Sequence, residues 1–95
     1  MPTLQEYIEN IRQSDIRKDR ITLLGELFLE THTKATAEDR ITMYKRIAKL
    51  LKDNYNDYYE LARTIDKTSY INGEGSHWNY ITVVMKNKRK GNVRK

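Results

Sequence analysis

Apolar residues recur along this chain with the period of an α-helix, and that spacing is what limits the fold. Leu4, Tyr7, Ile8 and Ile11 fall at i, i+3, i+4 and i+7. Pro2 and Thr3 open this first helix, and Thr3 with Glu6 three residues on forms a capping box. Ser14 is the expected cap of a second helix running to about Thr31, with Ile21, Leu24, Leu27 and Phe28 on one face. Leu23 and Leu29 widen that face, which makes this helix the expected centre of the core. Gly25 sits inside it at a cost of about 1 kcal/mol relative to Ala; either a neighbouring backbone passes close by or the helix simply tolerates the glycine.

The pattern repeats twice more. Thr36 and Asp39 make a second capping box, followed by an inner stripe of Ile41, Tyr44, Ala48 and Leu51, joined by Ile47 and Leu50. Lys45, Arg46, Lys49 and Lys52 lie around the other side, as a solvated face or as a surface for phosphates. After a break at residues 54–56, Asp57 with Glu60 starts a fourth helix whose buried side is Tyr58, Leu61, Ala62 and Ile65. Tyr55, Tyr58 and Tyr59 crowd that turn, where packing is the ordinary role of Tyr and base stacking the alternative. The tetrapeptide Asp-Arg-Ile-Thr occurs at Asp19 and again at Asp39, which reflects how helices start and not a repeat architecture.

Residues 68–84 admit two readings. Asn72-Gly73 between Tyr70-Ile71 and a β-branched run is a hairpin signal, with strands at about 68–72 and 78–84. The other reading is a glycine-containing loop, with Ser76 capping a fifth helix. Trp78, Ile81 and Met85 then share a face with Val84 beside them. Strict alternation fails here, and the run flows into a lysine-rich segment that extends a helix easily. We therefore expect an all-α bundle of four to five helices over residues 1–85, with a basic segment at 86–95. The alternative is a winged helix-turn-helix whose wing is the hairpin at about 68–84.

Charge is distributed very unevenly. The chain carries 18 Lys and Arg against 13 Asp and Glu, and from Lys86 onward there are six cations and no acid. The first 85 residues hold 12 basic and 13 acidic groups, so the whole net +5 resides in the last ten positions. A surplus gathered in one place points to a polyanion, with nucleic acid first, DNA ahead of RNA. The candidate contacts are Lys86, Asn87, Lys88, Arg89, Lys90, Arg94 and Lys95. Trp78 and Tyr80 lie just upstream and would stack on bases if exposed; the competing expectation for Trp78 is a core anchor. The reading weakens wherever those cations are tied to the protein's own carboxylates.

Other chemistry is poorly provided for. There is no Cys, and His32 and His77 are the only imidazoles, not at metal-ligand spacing, so neither a metal site nor a cofactor is expected. Gly73-Glu74-Gly75 lacks the Gly-Lys-Ser/Thr of a phosphate loop, and His77 beside Ser76 has no third group to orient it. We expect no enzyme. The acidic, periodic start MPTLQEYIEN is unlike a secretory signal and no apolar run approaches ~18 residues, so the expected setting is cytoplasmic, without a membrane partner.

Residues 61–91, LARTIDKTSYINGEGSHWNYITVVMKNKRKG, resemble the C-terminal helical domain of DnaD-type primosome proteins and related phage replication organisers. The matching positions are Ala62 and Ile65, then Tyr80, Ile81, Val84, Met85, Lys86 and Asn87, with Gly91 after the basic run. Lys88 stands where that family has Trp, and Asn72-Gly73-Glu74-Gly75 lengthens the loop. The resemblance implies a helical fold and DNA contacts through Lys86, Asn87, Lys88, Arg89 and Lys90, with a replication protein as a further partner. Three functions are expected in order: a non-enzymatic DNA-binding accessory protein of a phage or mobile element; a winged-helix regulator or transfer-origin accessory protein; and a protein-binding adaptor or inhibitor, or a small helical subunit of a ribonucleoprotein.

Overall fold

A computed structural model describes residues 3–32, 39–69 and 77–93, the last five of these for their backbone alone. Each periodic window becomes a helix: α1 Leu4–Gln13, α2 Arg17–Thr31, α3 Arg40–Asp53, α4 Tyr58–Thr68 and α5 His77–Val93. No strand occurs among the described residues, so the chain is an all-α bundle, and the segment proposed as the second strand of a wing is helical. The 3.6-residue spacing of Trp78, Ile81 and Met85 outweighed the β-propensity of their neighbours, because it turns all three into the core.

Two of the expected caps form at their acceptor half. The Thr3 side chain accepts from the Glu6 N–H at 3.2 Å, and Asp57 accepts from the Glu60 N–H at 3.0 Å. Two others differ. Ser14 does not cap α2; its N–H bonds Ile11 at the end of α1, and α2 begins after Ile16 without a side-chain cap. Helix α2 starts at Arg17, too far along for Ser14 to be its cap, and Arg20 Nε donates to the Ser14 carbonyl at 2.7 Å instead. Asp39 is itself the N-cap of α3, with its carboxylate accepting from the Thr42 N–H at 2.8 Å and the Thr42 hydroxyl at 2.9 Å. Thr36, expected in that role, lies outside the described residues, as does Ser76.

The core joins Tyr7, Ile8 and Ile11 of α1 to Leu24, Leu27 and Phe28 of α2. Met43, Ile47, Leu50 and Leu51 come from α3, Leu61, Ala62 and Ile65 from α4, and Trp78, Ile81 and Met85 from α5. Two expected members are absent: Leu29 is 43% exposed and Ile41 67% exposed. Met43 takes the inward place foreseen for Ile41, which lies about 200° away around the helix. Gly25 accounts for the choice. A Cβ there would stand 2.5 Å from the Tyr44 ring and 2.9 Å from the end of Met43, so the glycine is the recess into which α3 settles. What approaches is side chain, not backbone.

Contacts fix the helix directions. Lys88 near the end of α5 reaches Glu60 at the start of α4, while His77 at the start of α5 meets His32 at the end of α2, which in turn bonds Ile65 near the end of α4. Arg17 at the start of α2 bonds Asn56 and Tyr58 at the start of α4, and lies beside Lys49 and Lys52 at the end of α3. Helices α2 and α4 therefore run one way, and α3 and α5 the other. The carboxyl ends of α3 and α5 come to the same end of the bundle.

Candidate nucleic-acid interface

Helix α3 carries Arg40, Lys45, Arg46, Lys49 and Lys52 against Asp53 alone, and α5 carries Lys86, Lys88, Arg89 and Lys90 with no acid. Together these two helices hold a net +8, so the remaining residues net −3 against the total of +5. Because both helices finish at one end of the bundle, Lys49, Lys52, Lys86 and Lys88 collect there. Cations in a last turn also suit the negative end of the helix dipole.

The residues expected from the sequence stand in different settings. Lys86 and Asn87 are exposed on α5, and Tyr80 is 51% exposed two turns earlier. Lys88 is half-buried and paired with Glu60, which also binds Arg63 Nη1 at 3.4 Å. The hydrogen bond from Lys88 is the main reason the Glu60 carboxyl is held below the usual carboxylate range. Partial burial opposes that shift, while the charges of Lys88 and Arg63 add to it. Trp78 is 6% exposed and stacked on Phe28 with ring centroids 4.2 Å apart, so it is a core anchor and offers no face to a base. Arg89 and Lys90 lie in the last turns of α5, and Arg94 and Lys95 fall outside the described residues. The boundary drawn at 85 is no break in secondary structure, since α5 runs on to Val93.

On α3, Lys45, Arg46, Lys49 and Lys52 are exposed, as their spacing implied. Lys49 pairs with Asp53 at 3.2 Å, whereas Lys52 has no ion-pair partner among the described residues. An open groove of about 570 Å³ runs between this face and the start of α2, lined by Arg17, Ala48, Lys49, Lys52, Asp53 and Asn56. It faces the turn at residues 54–57. The three crowded tyrosines part company there. Tyr58 and Tyr59 pack against the core beneath Arg20 and Arg12, at 4.9 and 5.9 Å from their ring centres, while Tyr55 is 74% exposed.

The opposite end holds an arrangement that the sequence did not signal. His32 and His77, 45 residues apart, place their Nδ1 atoms 2.6 Å apart in the core. The Ile65 carbonyl can only accept, so His32 Nε2–H donates to it at 2.8 Å, with Thr68 Oγ1 as a second acceptor at 3.3 Å. His32 Nδ1 is then a bare acceptor and His77 Nδ1–H the donor. His77 Nε2 is left buried with no partner. Burial pushes the His32 pKa down, and the neighbouring His77 pushes the same way against the Ile65 carbonyl and Asp66. Two nitrogens on one zinc ion would stand about 3.3 Å apart, so this contact is a hydrogen bond between the two rings and not a pair of metal ligands. No group of three or more His, Cys, Asp or Glu suited to a metal occurs among the described residues, and no described helix is long and apolar enough to cross a membrane. The chain matches no known family model, no curated protein and no solved structure.

Proposed function

We propose that this chain is a non-enzymatic nucleic-acid-binding accessory protein, with DNA its first ligand, serving replication in a phage or mobile element. One observation carries the proposal: the surplus cations belong to α3 and α5, whose carboxyl ends share one end of the bundle. Exposed Lys45, Lys52 and Lys86 are the first phosphate contacts, with Arg89 and Lys90 extending the α5 row. The resemblance of residues 61–91 to the DnaD-type domain supplies the replication setting and points to the same segment. Lys88 contributes less than its sequence position promised, because Glu60 already holds it.

Binding of this kind is driven by counterion release, so it weakens steeply with salt and reads little sequence. Fluorescence anisotropy with labelled single-stranded DNA, duplex DNA and RNA at two salt concentrations tests it. With about five phosphate contacts, affinity falls on the order of a hundredfold between about 50 and 200 mM salt. Charge reversal at Lys52, Lys86 and Lys90 abolishes most of the binding. If the parent chain binds none of the three ligands at low salt, the proposal is wrong. The exposed Tyr80 and Val83 on α5 favour a second reading, a protein-binding adaptor. In that case the basic row meets an acidic partner and nucleic acid binding is absent.

A further inference from the structure

Helix α3 ends in a turn that asks for glycine and receives tyrosine. The Asn56 N–H returns to the Leu51 carbonyl at 2.7 Å, and Tyr55 and Asn56 take φ values of 59° and 56°. This is the left-handed helix terminus in which Gly normally follows the C-cap residue. Asn tolerates the conformation; a bulky aromatic does not, because its Cβ crowds the following carbonyl. Tyr55 gains no packing in exchange, since it is 74% exposed and outside the hydrophobic cluster. An aromatic ring held in a disfavoured backbone conformation and turned to solvent has its use outside the fold.

Its surroundings say what that use is. Arg17 Nη1 donates to Asn56 Oδ1 and, at 3.3 Å, to the Tyr58 hydroxyl, which pins the turn against the start of α2. The groove beside it presents Arg17, Lys49 and Lys52, partly offset by Asp53, which pairs with Lys49. An exposed ring one residue from Asn56, which lines a cationic groove, is the pairing that holds single strands, in which bases offer free faces and phosphates follow the groove. In a duplex the base faces are already stacked and out of reach of a side chain on a convex turn.

We infer that the turn between α3 and α4 binds single-stranded nucleic acid, with the Tyr55 ring stacked on a base and the adjoining phosphate in the groove of Arg17, Lys49 and Lys52. This rests on the nucleic-acid reading above and narrows it to unpaired strands.

Anisotropy with a labelled single strand of about 15 nucleotides, and with a duplex of the same length, tests it on the full chain. The parent chain binds the single strand at least about tenfold tighter than the duplex at equal salt, as one added stack allows. Tyr55→Gly lowers single-strand affinity by about tenfold, leaves duplex affinity unchanged, and raises the melting temperature by a few degrees because glycine fits the left-handed position. Tyr55→Trp keeps single-strand binding. A side chain present for the fold gives the reverse, with Tyr55→Gly less stable and binding as the parent does, and that result overturns the inference. Nucleic-acid binding that prefers duplex and ignores Tyr55 also overturns it, while leaving the general reading in place. Absence of any binding sinks both.

Discussion

At one end of the bundle α2, α4 and α5 close over Phe28, His32, Trp78 and His77; at the other, α2 begins with Arg17 and α3 ends with Lys49 and Lys52 beside an open groove, and Lys86 and Lys88 lie in the carboxyl half of α5. The closed end has its rings stacked at 4.2 and 4.5 Å and its imidazoles bonded to each other and to backbone. The open end leaves cations in water and a tyrosine in a conformation it does not favour. Aromatic packing is concentrated at the first and exposed charge at the second. A small domain has little core to spare, so if the open end is a binding surface, its separation from the packed end lets it change without unfolding the rest.

The sharpest test of that division is truncation at the closed end. Trp78→Ala removes the ring that fills the space beside Phe28 and costs about 3–5 kcal/mol, a large part of the stability of a domain this size. Lys52→Ala at the open end stays within about 0.5 kcal/mol of the parent. Urea unfolding of both variants checks the contrast. Similar losses in the two would mean that the ends are not specialised.

Acid attacks the closed end first. His32 has its pKa pushed below the ordinary histidine value, so the folded state favours the neutral ring. The resulting stability is fully present above the ordinary value of about 6.5 and is lost as pH falls through the lower folded value. Protonated His32 would aim a new N–H at His77 Nδ1 and force a proton onto the partnerless Nε2. The urea midpoint therefore falls between pH 7.5 and 5.5, before the carboxylates titrate, and His32→Leu flattens that part of the curve. An equal fall in His32→Leu would place the acid sensitivity elsewhere.

How much of this was legible in the sequence differs between the two ends for a physical reason. Local rules found α1, the Asp57 cap and the inward face of Trp78, Ile81 and Met85, because period and capping act within a turn or two. They misplaced Ile41 and passed over Met43, since which face of α3 turns inward depends on the recess at Gly25, about 18 residues away in another helix. The His32–His77 bond spans 45 residues and follows no spacing rule. Lys86–Lys90 were visible as charge, but the fate of Lys88 depended on Glu60, 28 residues earlier. Tyr55 carried one faint signal, its place between two Asn residues, which favour left-handed turns.

Glu60→Gln tests the open end by the smallest change. Gln keeps the shape of the side chain, and the Asp57 cap on its N–H is untouched. The partly exposed pair with Lys88 is worth up to about 1 kcal/mol, so the stability loss is no larger. What is released matters more: Lys88 and Arg63 lose their shared anion, and the open end gains a unit of positive charge. If phosphates lie along α5, one further contact forms, affinity at about 0.1 M salt rises about fivefold and the salt slope steepens by about 0.7. Anisotropy titrations of the parent and Glu60→Gln at several salt concentrations read both quantities. An unchanged affinity would show that Lys88 does not face the ligand, and would shift the phosphate path from α5 to the groove beside α3.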